Sequence, residues 1–272
     1  VILSLRNVSY SYPDGTPALR DVNLEVRPGE ITFVLGPNGS GKTTLLLLMA
    51  GLLSPTEGEV SFDGKPVGNW FRKRCGILFQ DPRDQLLAPT VWEDVALAPR
   101  QLGMDEGEVK SKVEEALRFF GIEDLALRSP LRLSRGQAAK VILAGLLAHD
   151  PEVLLLDEPW SSLDAEGTER LLELVRRFRE RDRIVVISSQ NSDMAAEISD
   201  TVHILKNGEL VMSGPAADLL VKIEKLREVG IRPPLVPSVS KAVFPSYPPM
   251  LRLEDLLTKL GRLDPEENPS QT

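Results

Sequence analysis

The chain has 272 residues, 42% hydrophobic and 26% charged, enough for one large or two modest globular domains with a real core. A formal net charge of −8 leaves no bulk electrostatic footprint for nucleic acid. The single cysteine, Cys75, excludes an intrachain disulfide and fits a reducing compartment; it opens the strand-like "CGILF" as expected core filler.

Along the chain, "LSLRNVSYSYPDGTPALRDVNLEV" alternates on both sides of the turn-forming "PDG", which predicts an antiparallel piece at the front. No basic-plus-apolar leader opens it, and apolar runs such as "TTLLLLMAGLL" are too short to cross a bilayer. The expectation is a protein soluble in itself that reaches any membrane through a partner. Next, the strand "EITFVLG" leads into the helical "KTTLLLLMAGL". Over about residues 82–150 the strand signal disappears, and "VEEALRFFGI" and "AKVILAGLLAH" predict a helical insert. Strand and helix then alternate again in "EVLLLD", "AEGTERLLELVRRFRERD", "RIVVISS" and "SDMAAEIS". That alternation predicts an α/β domain on a largely parallel, buried sheet. After Gly214 the composition shifts. Amphipathic "AADLLVKIEKLREVGI" precedes a proline-rich stretch, a short helix around "LEDLLTKL" and a polar tail expected to fray beyond about Asp264. The chain thus divides at 1–214 and 215–272.

Two stretches carry phosphate chemistry. "GPNGSGKTT" (Gly36, Pro37, Asn38, Gly39, Ser40, Gly41, Lys42, Thr43, Thr44) follows a strand and opens a helix, the context a G-x-x-x-x-G-K-[ST] loop requires. Its backbone N–H groups and the helix's positive end suit phosphate oxygens. Lys42 reaches the β- and γ-phosphates, and the Thr43 hydroxyl is placed for Mg²⁺. "VLLLDEP" delivers Asp157 to a strand's carboxyl end, in the Mg²⁺ shell, with Glu158 next as general base. The plainer alternative, an acidic pair capping the next helix, is weakened by the phosphate loop. Nucleotide hydrolysis follows.

"LSRGQ" (133–137) holds no nucleophile–base pair and no metal ligands. Alone, its Ser134 reads as a helix N-cap, which leaves Gly136 and Gln137 less well accounted for. Taken in order, the phosphate loop, "LFQDP", "LSRGQ", "LLLDEP" and "SSLD" resemble the ATP-binding cassette ATPases over roughly residues 3–214. The resemblance implies a P-loop NTPase core with an N-terminal antiparallel β subdomain, an α-helical signature-motif insert and a small C-terminal helical extension. It further implies that Ser134, Gly136 and Gln137 grip the γ-phosphate of ATP held by a second subunit, two chains closing head to tail around two ATP. By the same resemblance, Tyr12 stacks on adenine, unless it is simply a core tyrosine of its strand. Gln80 touches Mg²⁺ and the attacking water, and Asp164 links the two sites.

Two positions depart from the family pattern. Arg135 replaces a glycine, where a long cation near a γ-phosphate could help binding. Gln190, in "ISSQNSDM", stands where the family places a histidine; a carboxamide donates but carries no proton or positive charge. Loss of that group is expected to cost on the order of 10²–10³ in rate, as for a lost oxyanion donor. His149 and His203 are expected to be core or surface residues, not substitutes. An asymmetric pair with a paralogous ATPase would make a slow site tolerable.

"LFQDPRDQLLAPTVWEDVALAPRQLGM" is similar to the energy-coupling factor and cobalt/nickel importer ATPases, whose groove takes helices of a transmembrane partner; alone it reads as a surface helix. The segment after Gly214 resembles, more loosely, their C-terminal extension, which helps hold the ATPase dimer. The implied protein is the motor of a membrane importer for a vitamin or Co/Ni. It would lie at the cytoplasmic face with a transmembrane coupling subunit and a substrate-binding membrane subunit, and without nucleic acid. The alternatives are a soluble cassette ATPase of DNA repair or translation, disfavoured by the lack of basic excess and of a long coiled coil, and a weakly catalytic regulatory subunit.

Overall fold

The computed structural model describes residues 2–261. β1 (Leu3–Ser11) and β2 (Pro17–Val26) form the expected antiparallel pair, closed by Tyr12 N–H to Thr16 O at 2.9 Å. Leu3 and Leu5 face the core, then Val8 and Tyr10, a one-residue slip in phase. An irregularity at the left-handed Asn7 and Asp21 absorbs it, residues that tolerate positive φ.

β3 (Ile31–Leu35), buried at every position, ends at the phosphate loop and leads into α1 (Lys42–Met49). β4 (Glu57–Phe62) and β5 (Lys65–Pro66) follow, joined at Asp63–Gly64, whose φ values of 52° and 73° make a primed hairpin turn. They extend the front sheet to the order β2-β1-β4-β5, two strands more than the sequence reading supplies. After α2 (Asn69–Arg72), β6 (Cys75–Leu78) begins with half-buried Cys75, whose thiol burial pushes up and away from reactivity.

As the pattern predicts, residues 81–150 contain no strand. Their main helices are α3 (Val91–Gln101), α4 (Glu106–Phe119) and α5 (Arg135–His149). α5 is apolar on nearly all sides because its neighbours cover it. β7 (Val153–Asp157), α6 (Ala165–Glu180), β8 (Ile184–Ser189), α7 (Ser192–Ile198), β9 (Thr201–Lys206) and β10 (Glu209–Pro215) complete the second sheet, ordered β10-β9-β3-β8-β7-β6. All its pairings are parallel except β9–β10, joined at left-handed Asn207–Gly208.

This sheet is buried on both faces, which explains its unbroken apolar strands. Val34, Val153, Leu155 and Val186 pack with α1 and the front sheet; Phe33, Leu35, Leu154 and Ile187 pack with the insert and later helices. The register places Leu35 beside Ser189, and Asp157 beside Ser188. The carboxyl ends of β3, β7 and β8 therefore share one edge.

Beyond Gly214, the amphipathic run divides into α8 (Ala216–Leu219) and α9 (Ile223–Glu228); Leu219 and Leu226, with Leu220 just past α8, join the main core. The proline-rich stretch holds a helix absent from the sequence reading, α10 (Leu235–Val243). Pro237 falls in its first turn, where a missing N–H costs no helical bond. α11 (Leu253–Leu260) is the expected short helix, and the tail beyond Asp264 lies outside the described residues. No helix among the described residues is long and apolar enough to cross a membrane.

Candidate active site

The phosphate loop threads a narrow passage between strands. A Cβ on Gly36 would stand 2.4 Å from the Leu205 carbonyl oxygen. One on Gly41 would stand 2.7 Å from that of Ala18, at φ +104°. Gly41 is also the N-cap of α1 and supplies no side-chain acceptor, so the helix's first N–H groups stay uncapped. That is an anion site by construction. Ser40 N–H closes the preceding turn on Pro37 O at 3.2 Å, and the buried Ser40 hydroxyl has no hydrogen-bond partner.

Lys42, 7% exposed, donates to the Gly36 and Pro37 carbonyls at 2.8 and 3.1 Å and lies 3.8 Å from Glu158 Oε1. Burial pushes both members of this pair toward neutrality: it lowers the ammonium and raises the carboxyl, while their mutual attraction opposes both shifts. Thr43 Oγ1 donates to Asp157 Oδ2 at 2.6 Å, and Ser188 Oγ donates to the other oxygen. Glu158, in the left-handed region at φ 46°, accepts from Ser189 Oγ at 3.2 Å through Oε2, while buried Oε1 has no hydrogen-bond donor. A non-glycine residue held in this region at a site is a mark of function.

Around these groups lies a cavity of about 310 Å³ lined also by Tyr12, Asn38, Gly39, Thr44 and Gln80. Tyr12 is exposed, its hydroxyl 2.8 Å from Thr44 Oγ1 and its ring edge-on to buried Tyr10. Tyr10 is thus the core tyrosine, and Tyr12 the rim aromatic. Gln190 sits at the edge and donates to Asn38 Oδ1 at 2.6 Å. Thr43, Asp157 and Gln80 offer a hydroxyl, a carboxylate and a carboxamide, hard oxygen donors that fit Mg²⁺. Among the described residues no group of three or more His, Cys, Asp or Glu forms a metal site, so phosphate and water would complete the shell.

The signature loop lies elsewhere. Ser134 caps α5: its Oγ accepts from Gln137 N–H at 3.2 Å, and Gln137 Oε1 accepts from Ser134 N–H at 3.0 Å. Gly136 lets the helix approach the Ser162 carbonyl, 2.9 Å from where a Cβ would sit. Capping and packing together therefore explain the serine, the glycine and the glutamine, further than the sequence reading allowed. Arg135 does not reach toward a phosphate; its guanidinium donates to this chain's own Gln80 O at 2.8 Å. Asp164 caps α6 through Gly167 N–H and pairs with Lys140 at 3.2 Å. Ser134, Gly136 and Gln137 line a separate hollow of about 490 Å³ that shares no residue with the phosphate cavity. A further cavity, about 750 Å³ between α6, α7 and the helices α10 and α11, contains no residue of either.

The two histidines stay away from the chemistry, as expected. Nε2 of His149 lies 2.9 Å from Lys73 O, and burial lowers its basicity. His203 is buried in β9 against Ser213 and lowered by that burial to about 4. The sequence reading missed Ser188 and Ser189; two hydroxyls ending the apolar "RIVVISS" are the signal that could have shown them.

Comparison with known proteins gives the same outline. The ABC transporter family profile matches residues 19–161. A cobalt import ATP-binding protein CbiO of Rhodobacter capsulatus is 43% identical, with 86% of each chain covered. The energy-coupling factor transporter ATP-binding protein EcfA of Methanothermobacter thermautotrophicus is 40% identical over 86% of this chain and 77% of its own. A putative ABC transporter ATP-binding protein of Methanosarcina mazei, 41% identical over 86% of this chain, is longer, and this chain spans 53% of it. Among solved structures, cbiO1 of Clostridium perfringens, part of the ABC transporter complex cbiONQ, superposes with a TM-score of 0.71 at 33% identity, covering 88% of this chain and 98% of its own. A dimeric ATP-binding cassette in a post-hydrolysis state with ADP and Pi gives 0.73 at 29% identity, over 79% and 98%.

Proposed function

The chain belongs to the ABC transporter family, whose ATP-binding proteins are ATPases, and from that premise we propose that it is the ATP-hydrolysing motor of an energy-coupling-factor-type importer for a vitamin, cobalt or nickel. In this reading it sits at the cytoplasmic face of the membrane as one of two head-to-tail ATPase subunits. Above them lie a transmembrane coupling subunit and a substrate-binding membrane subunit. We divide the chain into a cassette, 1–214, and an extension, 215–272, that helps hold the dimer. One observation carries the reading: the phosphate cavity and the signature hollow share no residue, as two halves of an intermolecular site require.

The chemistry follows from the residues. Lys42 exchanges the Gly36 and Pro37 carbonyls for β- and γ-phosphate oxygens, and the uncapped N–H groups of α1 hold the same anion. Thr43, Asp157 and Gln80 would hold Mg²⁺, which when bound offsets phosphate charge. Glu158 takes a proton from the attacking water; burial makes its ionised carboxylate the stronger base. Gln190 can only donate an amide hydrogen to the transferring phosphoryl group. Hydrolysis on this chain's own loop is therefore slow, and a paralogue is favoured over an identical partner.

Gentle detergent extraction from the native membrane, followed by uptake assays in vesicles, tests the reading. The chain should be recovered with a membrane-spanning subunit, and Glu158→Gln should stop ATP-driven solute uptake. Recovery without any membrane subunit, or with DNA or ribosomes, would overturn it.

A further inference from the structure

Gln80 lies where β6 runs out into the helical insert. On one flank, Gln85 closes the turn: its Oε1 accepts from Phe79 N–H at 2.7 Å and its Nε2 donates to Ile77 O at 2.9 Å. On the other, the Arg135 guanidinium crosses 55 residues of sequence to donate to Gln80 O at 2.8 Å. The peptide is gripped on both sides, and the Gln80 side chain lines the phosphate cavity. Arg135 is the first residue of α5, directly after the cap Ser134, so its anchor is fixed to the helix end that carries the signature loop. A glycine there could not make this contact. A directional guanidinium fork is suited to it, a flexible ammonium less so.

We propose that Arg135 is a positioning residue for Gln80: its bond to the Gln80 carbonyl ties the α5 N-terminus to the strand–insert junction, so that one movement sets both the signature loop and this chain's own Gln80 carboxamide. The proposal rests on the reading of Gln80 as a phosphate-site residue given above. A displacement of the insert then reaches the phosphate cavity through a specific contact as well as through packing.

The test is a double-mutant cycle on the full chain, with Arg135→Gly, Arg135→Lys and Gln80→Ala, measured by ATP hydrolysis and by amide hydrogen exchange. Arg135→Gly should lower kcat about three- to tenfold with KM within about twofold, and Arg135→Lys should recover part of the loss. Exchange at residues 78–81 should quicken in Arg135→Gly while α5 beyond its first turn stays unchanged. In the Gln80→Ala background, Arg135→Gly should cost nothing further. Unchanged exchange, or an equal cost in both backgrounds, would overturn the tether. If Gln80→Ala alone leaves kcat intact, the role given to Gln80 fails first and the proposal falls with it; that variant, measured alone, tells the two failures apart.

Discussion

Two helices in this molecule begin at the loops we assign to phosphate, and they begin differently. α1 starts at a glycine with no side-chain cap, so its first N–H groups have no acceptor of their own. α5 starts with a complete capping box, in which Ser134 satisfies only the Gln137 N–H. That bond uses an acceptor of the serine hydroxyl and leaves its hydrogen free to donate, beside the first-turn N–H groups of Arg135 and Gly136. The first site is a cradle surrounded by its own Lys42, Asp157 and Glu158; the second is a clasp whose hollow holds Asp124 and Asp164 with Lys140, the last two bonded to each other, and it shares no residue with the cradle. On the proposed reading, α1 binds a phosphate with its own chain's help, while α5 meets one held by another chain.

Complementation in trans tests the shared pocket most directly. Lys42→Ala removes the cradle's cation and Ser134→Arg blocks the clasp, so each variant alone should lose nearly all hydrolysis. Where this chain is made to pair with itself, without the favoured paralogue, a mixed dimer keeps one site with both halves intact. An equal mixture should therefore recover roughly a quarter of wild-type turnover, since half the dimers are mixed and each has one good site. No recovery on mixing, with dimers formed, would refute the shared pocket.

Next in size is Glu158→Gln. The amide keeps the shape but cannot take a proton, so turnover should fall on the order of 10²–10⁴ while ATP binding persists. Rapid-quench hydrolysis with a parallel nucleotide-binding titration separates the two. A variant that hydrolyses at more than about a tenth of the wild-type rate would remove Glu158 from the role of base.

How much of this was legible depends on how local each feature is. The cradle was, because its glycines, Lys42 and Thr43 are contiguous and a strand–loop–helix context frames them. Asp157 was, because four apolar residues deliver it to a strand end. Ser188 and Ser189 were not, since their place beside Asp157 and Glu158 follows from strand register, which a single strand does not carry. The Arg135 bond was unreadable for the same reason; proximity to a phosphate was the natural expectation for its charge. α10 hid behind prolines, though Pro234 precedes it as the N-cap and Pro237 falls in the permissive first turn. The hairpin at Asp63–Gly64 was written in its dipeptide and needed only the turn rule.

A smaller effect sharpens the cradle itself. Gln190 now spends its amide on Asn38, where the family pattern places a histidine. Gln190→His should raise single-turnover hydrolysis about 10²-fold by supplying a donor able to carry positive charge, and Gln190→Ala should leave it unchanged or lower. Equal rates for glutamine and histidine would show that this position does not limit the site.

Subtler still is a shift on the pH axis. Burial raises Glu158 above the usual carboxylate range, and the Lys42 charge together with the Ser189 and Gln190 hydrogen bonds pulls it back. A base must be ionised to work, so turnover falls as pH drops through the carboxyl's value in the folded site. The Ser189 hydroxyl donates to the carboxylate at 3.2 Å and so favours the charged form. Ser189→Ala removes that donor, the proton is held more tightly, and the acid limb of the kcat profile should move to higher pH. At alkaline pH, where the carboxyl is ionised in both proteins, the two rates should converge. Because the substitution sits on β8, away from α5, it should leave the signature half untouched. An acid limb that stays put, or moves the other way, would mean that Ser189 does not hold the working carboxylate.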